Sequence, residues 1–296
     1  MGTLSRWLKT RYPSNCEWDN SIRTHTAFLL RRYKKYADSH FLHEFCSGKE
    51  DTFRQRYWEM FLGCWLIDNK LELLPHQDKG PDFAIKLADR NILIEAIAPT
   101  IGDKENRVPE IKPTQWGQAA IAQDVPLNQI LLRWTTAFQT KAKIFNNYIT
   151  QGTVSSSDIC IIAINSCQLG SFAFTGISSY PTALETVYPV GPRQAHIPEN
   201  STEKIRYDIQ YRPQITKANK TTILTTPFLS SEYTHISALL ATHTDERGGN
   251  SPIILIHNLN AKVPLTRGAI PVETEYWVEL NNTDLKICHT NNHSSN

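Results

Sequence analysis

A chain of 296 residues that is 40% hydrophobic and 20% charged can bury a substantial core, which excludes a chain disordered throughout. Its 31 Lys and Arg against 29 Asp and Glu leave a formal net charge of +2, so no strong overall field exists and any basic face must be local. No stretch reaches the ~20 apolar residues of a membrane span, and the six cysteines lack CxxC spacing, which argues against a zinc ribbon and for reduced thiols in a cytoplasmic protein.

Residues 1–25 are mixed and polar, with Trp7, Tyr12 and Trp18, and read as a loosely packed segment or arm without the apolar core of a signal peptide. From His25 to Cys46, Phe28, Leu29, Tyr33, Tyr36 and Phe41 recur at helical spacing. A second helix starts near Asp51 or Thr52 and puts Phe53, Tyr57, Met60, Phe61 and Cys64 on one broad apolar face.

Strand signals follow. LELLPH (71–76) is short and apolar, DFAIKLA (82–88) alternates, and ILIEAIAP (92–99) is apolar apart from Glu95. Asp89, Arg90 and Asn91 suit a tight hairpin turn between the last two. Residues 128–149 read as a long amphipathic helix, with Pro126 at its start. DICIIAIN (158–165) has the unbroken apolar run of a strand buried on both faces.

Beyond Gly170 the pattern weakens. A short helix is expected at 181–187, a polar loop from Arg193 to Glu203, β segments at 205–215 and 220–226 joined at Lys217–Lys220, a helix at 232–241, a strand at 252–258 and a frayed polar end at 288–296. The domain expectation is an N-terminal helical segment (1–50), a core (51–170), a C-terminal α/β elaboration packed on the same domain (171–287) and a flexible tail (288–296). The expected fold is an α/β core with helices packed on a mixed sheet.

The strongest local feature is GPDFAIKLADRNILIEAIAP, residues 80–99. An ionised carboxylate inside ILIEAIA is costly to bury alone, so Glu95 needs a cation, a hydrogen-bond network or a raised pKa. A hairpin around 89–91 brings Asp82 close to Glu95. Two such carboxylates suit a hard divalent ion with water completing its shell. The plainer readings are Glu95 paired with Arg133 or Lys86, and Asp82 capping a turn after Gly80-Pro81.

This segment resembles the PD-(D/E)XK nuclease superfamily, the restriction-endonuclease-like fold. Pro81-Asp82 is similar to its first half-motif, Glu95 to the acid of its second, and Glu59 within RQRYWEMF to the acid many members carry on the preceding helix. The resemblance covers roughly residues 50–165. It implies a restriction-endonuclease-like core, a mixed central sheet flanked by helices, with a C-terminal elaboration. It also implies Mg²⁺ (or Mn²⁺) held by Asp82, Glu95 and Glu59, and phosphodiester hydrolysis, in DNA rather than RNA.

One position departs from the pattern. The motif lysine two residues after the acid is Ile97 here, which cannot orient water or stabilise negative charge. Either the lysine has migrated, with Lys141 on the long helix the first candidate and Lys86 the second, or the site has lost catalysis and serves as a nucleic-acid or protein binding module. Arg133 and Lys141, eight residues apart, lie about 80° apart around a helix, so both can border one cleft. Gln115 and Gln118 are further substrate-contact candidates.

LRRYKKY (30–36) interleaves Arg31, Arg32, Lys34 and Lys35 with tyrosines, a pattern that serves phosphate contact and base stacking or simply the wet face of a helix. Lys204, Arg206, Arg212, Lys217 and Lys220 would decorate the 205–226 hairpin as a basic ribbon. A two-fold homodimer would let two sites address two strands. No GxSxG elbow, Walker loop or dinucleotide glycine pattern occurs.

Overall fold

A computed structural model of the protein describes residues 2–77, 79–87, 90–111, 124–176, 179–197, 205–248, 251–281 and 284–291. The helices are α1 (Gly2–Arg11), α2 (Glu17–Tyr33), α3 (Phe41–Phe45), α4 (Glu50–Asp68), α5 (Leu127–Thr150) and α6 (Thr182–Val187). The strands are β1 (Phe83–Lys86), β2 (Asn91–Ile97), β3 (Ile159–Asn165), β4 (Val190–His196), β5 (Arg206–Tyr211), β6 (Gln214–Thr216), β7 (Thr222–Leu224), β8 (Ala238–Thr242), β9 (Ile254–His257), β10 (Thr274–Asn281) and β11 (Asp284–Asn291).

The described residues form a seven-stranded sheet of order β1-β2-β3-β8-β9-β10-β11. β2, β3 and β8 run parallel, β1 is antiparallel to β2, and β9 is antiparallel to β8. The mixed α/β sheet flanked by helices is therefore present, and its strands β8–β11 come from the 171–287 stretch and the expected tail. β3 is buried along its whole length, as a central strand covered on both faces must be.

Alternating side chains send Phe83, Ile85, Ile92, Ile94 and Ala96 to one face, into a core shared with α1, α2 and α4. Leu93, Cys160, Ile162 and Ile164 go to the other, against α5 and α6. Helix α4 is apolar on several sides because it lies inside its layer, with Trp58, Met60, Leu62 and Leu66 fully buried. A Cβ at Gly63 would run into the Tyr33 ring, so glycine lets α2 and α4 approach closely there.

Several expectations need correction. The N-terminal residues are no loose arm: α1 buries Leu4 and Leu8, and the Trp7 ring packs tilted against Phe53, centroids 5.1 Å apart. LELLPH is reduced to a single bridge, Leu73 to Ile85, flanked by Leu74 N–H to Ala84 O and Lys86 N–H to Glu72 O. Arg193 to His196, expected as the start of a polar loop, belong to β4, which pairs with β5, so β5 does not form the first half of a 205–226 hairpin. The Lys217–Lys220 turn does join two strands, the short β6 and β7. The expected helix at 232–241 is a 3₁₀ turn followed by β8, a buried sheet strand whose continuous apolar run carries no strand period. Residues 288–291 belong to β11 and are held by β10.

Candidate functional site

The β1–β2 hairpin sets the two carboxylates together. Phe83 pairs with Ile94 and Lys86 with Asn91, so Asp82, one residue before β1, falls opposite Glu95. Asp82 Oδ2 accepts the Ala96 backbone N–H at 2.7 Å, which braces the aspartate against β2. Glu95 is 3% exposed, within a strand whose neighbours on both sides are apolar.

Helix α5 supplies the cation. Lys141 Nζ lies 2.5 Å from Glu95 Oε2 and 3.4 Å from Asp82 Oδ2. Burial works against the ammonium, yet Asp82 and Glu95 together hold its pKa above the ordinary lysine value, so Lys141 stays charged. Burial and then the charge of Asp82 push Glu95 up to about 7, against the pull of Lys141. Tyr148, seven residues further along the same helix face, donates its hydroxyl to Gly80 O at 3.1 Å and also meets Glu95. Burial, then Glu95, raise its phenol to about 12, so it remains a neutral donor.

Glu59 reaches the site from α4. Burial and the charge of Asp82 raise it to about 7, although Arg56 Nη1 lies 2.6 Å from its Oε2. Its other oxygen accepts from Gln55 Nε2 at 2.9 Å. Both Glu59 oxygens are thus engaged by α4 itself, at i−3 and i−4.

The backbone leaving β2 is held by side chains from three elements. Gln55 donates to Ala96 O at 3.1 Å and accepts from Ala98 N–H at 2.8 Å. Gln168, just after β3, donates to Ala98 O at 3.0 Å, and Arg133 Nε donates to Thr100 O at 2.7 Å. A cleft of about 490 Å³ opens beside this segment, with Gln55, Arg56, Glu59, Ile97 and Arg133 among its walls. Ile97 shares its strand face with Glu95 and lines this cleft.

Of the residues singled out from sequence, Asp82, Glu95 and Lys141 therefore meet, Glu59 stands beside them tied to Arg56, and Arg133 lies at the cleft. Lys86 does not join them: it is exposed at the turn end of the hairpin, roughly 13 Å along β1 from Asp82. Arg32 is drawn to Asp68, Lys35 sits 4.6 Å over the Tyr36 ring, and Arg31 and Lys34 are exposed on and just after α2, while Tyr33 enters the core. The run thus spans the end of α2, with Lys34 and Lys35 in the turn that follows it. Gln115, Gln118 and Lys204 lie outside the described residues.

Gln55, Arg56, Tyr148 and Gln168 were not singled out from sequence. Gln55 and Tyr148 are legible once Glu59 and Lys141 are chosen, as i−4 and i+7 neighbours. Gln168 carries no sequence signal.

Among the described residues no three His, Cys, Asp or Glu side chains converge as a metal-binding group. Among them, too, no helix is long and apolar enough to cross a membrane. The fold and site define a mixed α/β protein with a buried carboxylate–lysine centre at one end of its sheet. Comparison with protein-family models, curated proteins and solved structures finds no match for the chain.

Proposed function

We propose that the protein is a metal-dependent nuclease of restriction-endonuclease-like fold that hydrolyses phosphodiester bonds, in DNA by preference. The observation that carries this reading is Lys141 between Asp82 and Glu95. A lysine from the following helix supplies the charge that Ile97 cannot.

The donor set fits a hard cation of one kind. Asp82 and Glu95 offer oxygen ligands within reach of the same ammonium, and Mg²⁺ is commonly held by one or two carboxylates with water and substrate oxygens completing its shell. Glu59, whose oxygens are engaged by Gln55 and Arg56, would act through water. When bound, Mg²⁺ (or Mn²⁺) supplies Lewis-acid polarisation and a more acidic water.

The chain's own groups do the rest. Lys141 holds its proton at Nζ and presents positive charge where negative charge develops on the phosphoryl oxygens. Arg133, fixed on Thr100, offers its remaining guanidinium N–H groups to a phosphate in the cleft.

A second reading is a catalytically degenerate nuclease-like module that binds nucleic acid or protein. It is favoured by one observation: Lys141 already compensates Asp82 and Glu95, as a purely structural ion pair would. Cleavage of DNA and RNA with Mg²⁺ or Mn²⁺, run beside Glu95→Gln, separates the two. Wild-type cleavage lost in Glu95→Gln supports the nuclease. Substrate binding without cleavage by either protein supports the module.

A further inference from the structure

The β4–β5 ribbon stands apart from the seven-stranded sheet. Its register pairs Arg193 with Ile209, Ala195 with Tyr207 and His196 with Arg206. Strand alternation then puts Arg193, Tyr207, Ile209 and Tyr211 on one face, and Gln194, His196, Arg206 and Asp208 on the other. Ile209, in the middle of the aromatic face, meets the chain's own core, while the rings on either side of it stay outside. Tyr207 is 60% exposed and Tyr211 69%.

The root of the ribbon is built firmly. Arg212 pairs with Glu185 of α6, and its N–H bonds Pro189 O at 2.9 Å. The strand bulges between Val190 and Arg193, and a Cβ at Gly191 would stand 2.9 Å from Gln210 O, so glycine is required at the crossing. Ile209 is partly buried against the core. The exposed rings are therefore carried on an anchored arm, and the Arg193 guanidinium lies 4.4 Å over the Tyr207 ring.

We propose that this ribbon face is a stacking platform for single-stranded nucleic acid, with bases on Tyr207 and Tyr211 and the backbone beside Arg193. Two arguments choose this occupant. The face is about 20 Å long and two strands wide, roughly 200 Å², whereas a stable protein interface covers about 800 Å² on each partner. The platform face carries Arg193 and no acid, the ribbon's one acid, Asp208, lying on the other face, and exposed rings beside a cation form the surface on which unpaired bases stack. The inference rests on the proposed action on nucleic acid, but its test does not require cleavage.

The experiment is fluorescence anisotropy of a labelled oligothymidylate and a labelled oligouridylate in EDTA, with wild type, Tyr207→Ala/Tyr211→Ala and Tyr207→Phe/Tyr211→Phe. Thermal melting checks folding, and sedimentation velocity reports self-association. The expected result is binding by wild type, a loss of about 10-fold or more in the alanine protein, and affinity within about 3-fold of wild type in the phenylalanine protein. No wild-type binding, or equal binding by the alanine protein, overturns the proposal. So does an alanine protein that changes only from dimer to monomer, which identifies the face as a contact between copies. Wild-type cleavage measured separately in Mg²⁺ separates the two claims: binding that depends on the tyrosines, with no cleavage in Mg²⁺, sinks the nuclease reading and leaves the platform standing.

Discussion

Lys141 crosses from α5 to within 2.5 Å of Glu95, two residues before the position on β2 that Ile97 occupies. The strand leaves an apolar side chain at the cleft, and the helix delivers the charge instead. Lys141→Met should remove Mg²⁺-dependent cleavage by at least ~100-fold. It should also destabilise the fold by about 3 kcal/mol, since removing one partner leaves a buried carboxylate uncompensated. Steady-state cleavage and urea denaturation of the same preparation read both effects.

If the lysine's charge matters more than its origin, it can be moved. Ile97→Lys in the Lys141→Met background places an ammonium on the Glu95 face of β2. Part of the lost cleavage should return, about 10-fold above Lys141→Met alone. Ile97→Lys in the wild-type background should bring no gain.

Glu95 and Glu59 are both raised to about 7, from 4.5, by burial first and by Asp82 second. A carboxyl whose pKa is higher folded than unfolded binds more protons in the folded state between those values. Its stabilising contribution is full below about pH 4.5 and is lost as pH rises through about 7. Denaturation midpoints of wild type should fall from pH 5 to pH 8, and Glu95→Gln/Glu59→Gln should flatten that slope. Cation affinity should rise over the same window as Glu95 ionises.

Gln55 bonds Glu59, Ala96 O and Ala98 N–H at once. Gln55→Ala should cost about 1–2 kcal/mol, as buried backbone groups lose partners, and should lower cleavage through misplacement of the segment that holds Asp82. Gln55→Glu keeps the acceptor for Ala98 N–H but sets a second carboxyl where the amide donates to Glu59 at 2.9 Å, so it should lose at least as much stability at pH 8 and recover part of it at pH 5, where the carboxyl pair shares a proton. A Gln55→Glu protein whose loss does not change with pH would contradict the role given to the Gln55–Glu59 bond.

A control lies away from the centre. Glu246 is buried, accepts from the Tyr12 hydroxyl at 2.6 Å and pairs with Arg54, tying α1 and α4 to the loop after β8. Glu246→Ala should destabilise by about 2–4 kcal/mol while leaving cleavage per folded molecule unchanged.

The carboxylate pair was legible in the sequence because two local rules agreed. The apolar alternation of the two strands fixed a register in which Lys86 pairs with Asn91, and strand parity carried Asp82 to Glu95. Lys141 needed more: helical spacing put it near a cleft, and only the family resemblance gave a reason to look for a displaced lysine. The failures have equally local causes. β8 is a short, continuously apolar run that periodicity alone cannot distinguish from a buried helix. β4 is polar and exposed from Arg193 onward and contains a proline, because its partner is one strand of a ribbon and the core reaches only its first residues. Gln168 reaches Ala98 O through the tertiary fold, which no spacing rule encodes.

The most direct test of the central claim is cleavage of DNA and RNA in Mg²⁺ by wild type, Asp82→Asn, Glu95→Gln and Lys141→Met, each shown folded by its melting curve. The account predicts cleavage by wild type and a loss of at least ~100-fold in each of the three variants. Cleavage that persists at the wild-type rate in any of them would contradict the assignment of Asp82, Glu95 and Lys141 as one catalytic centre.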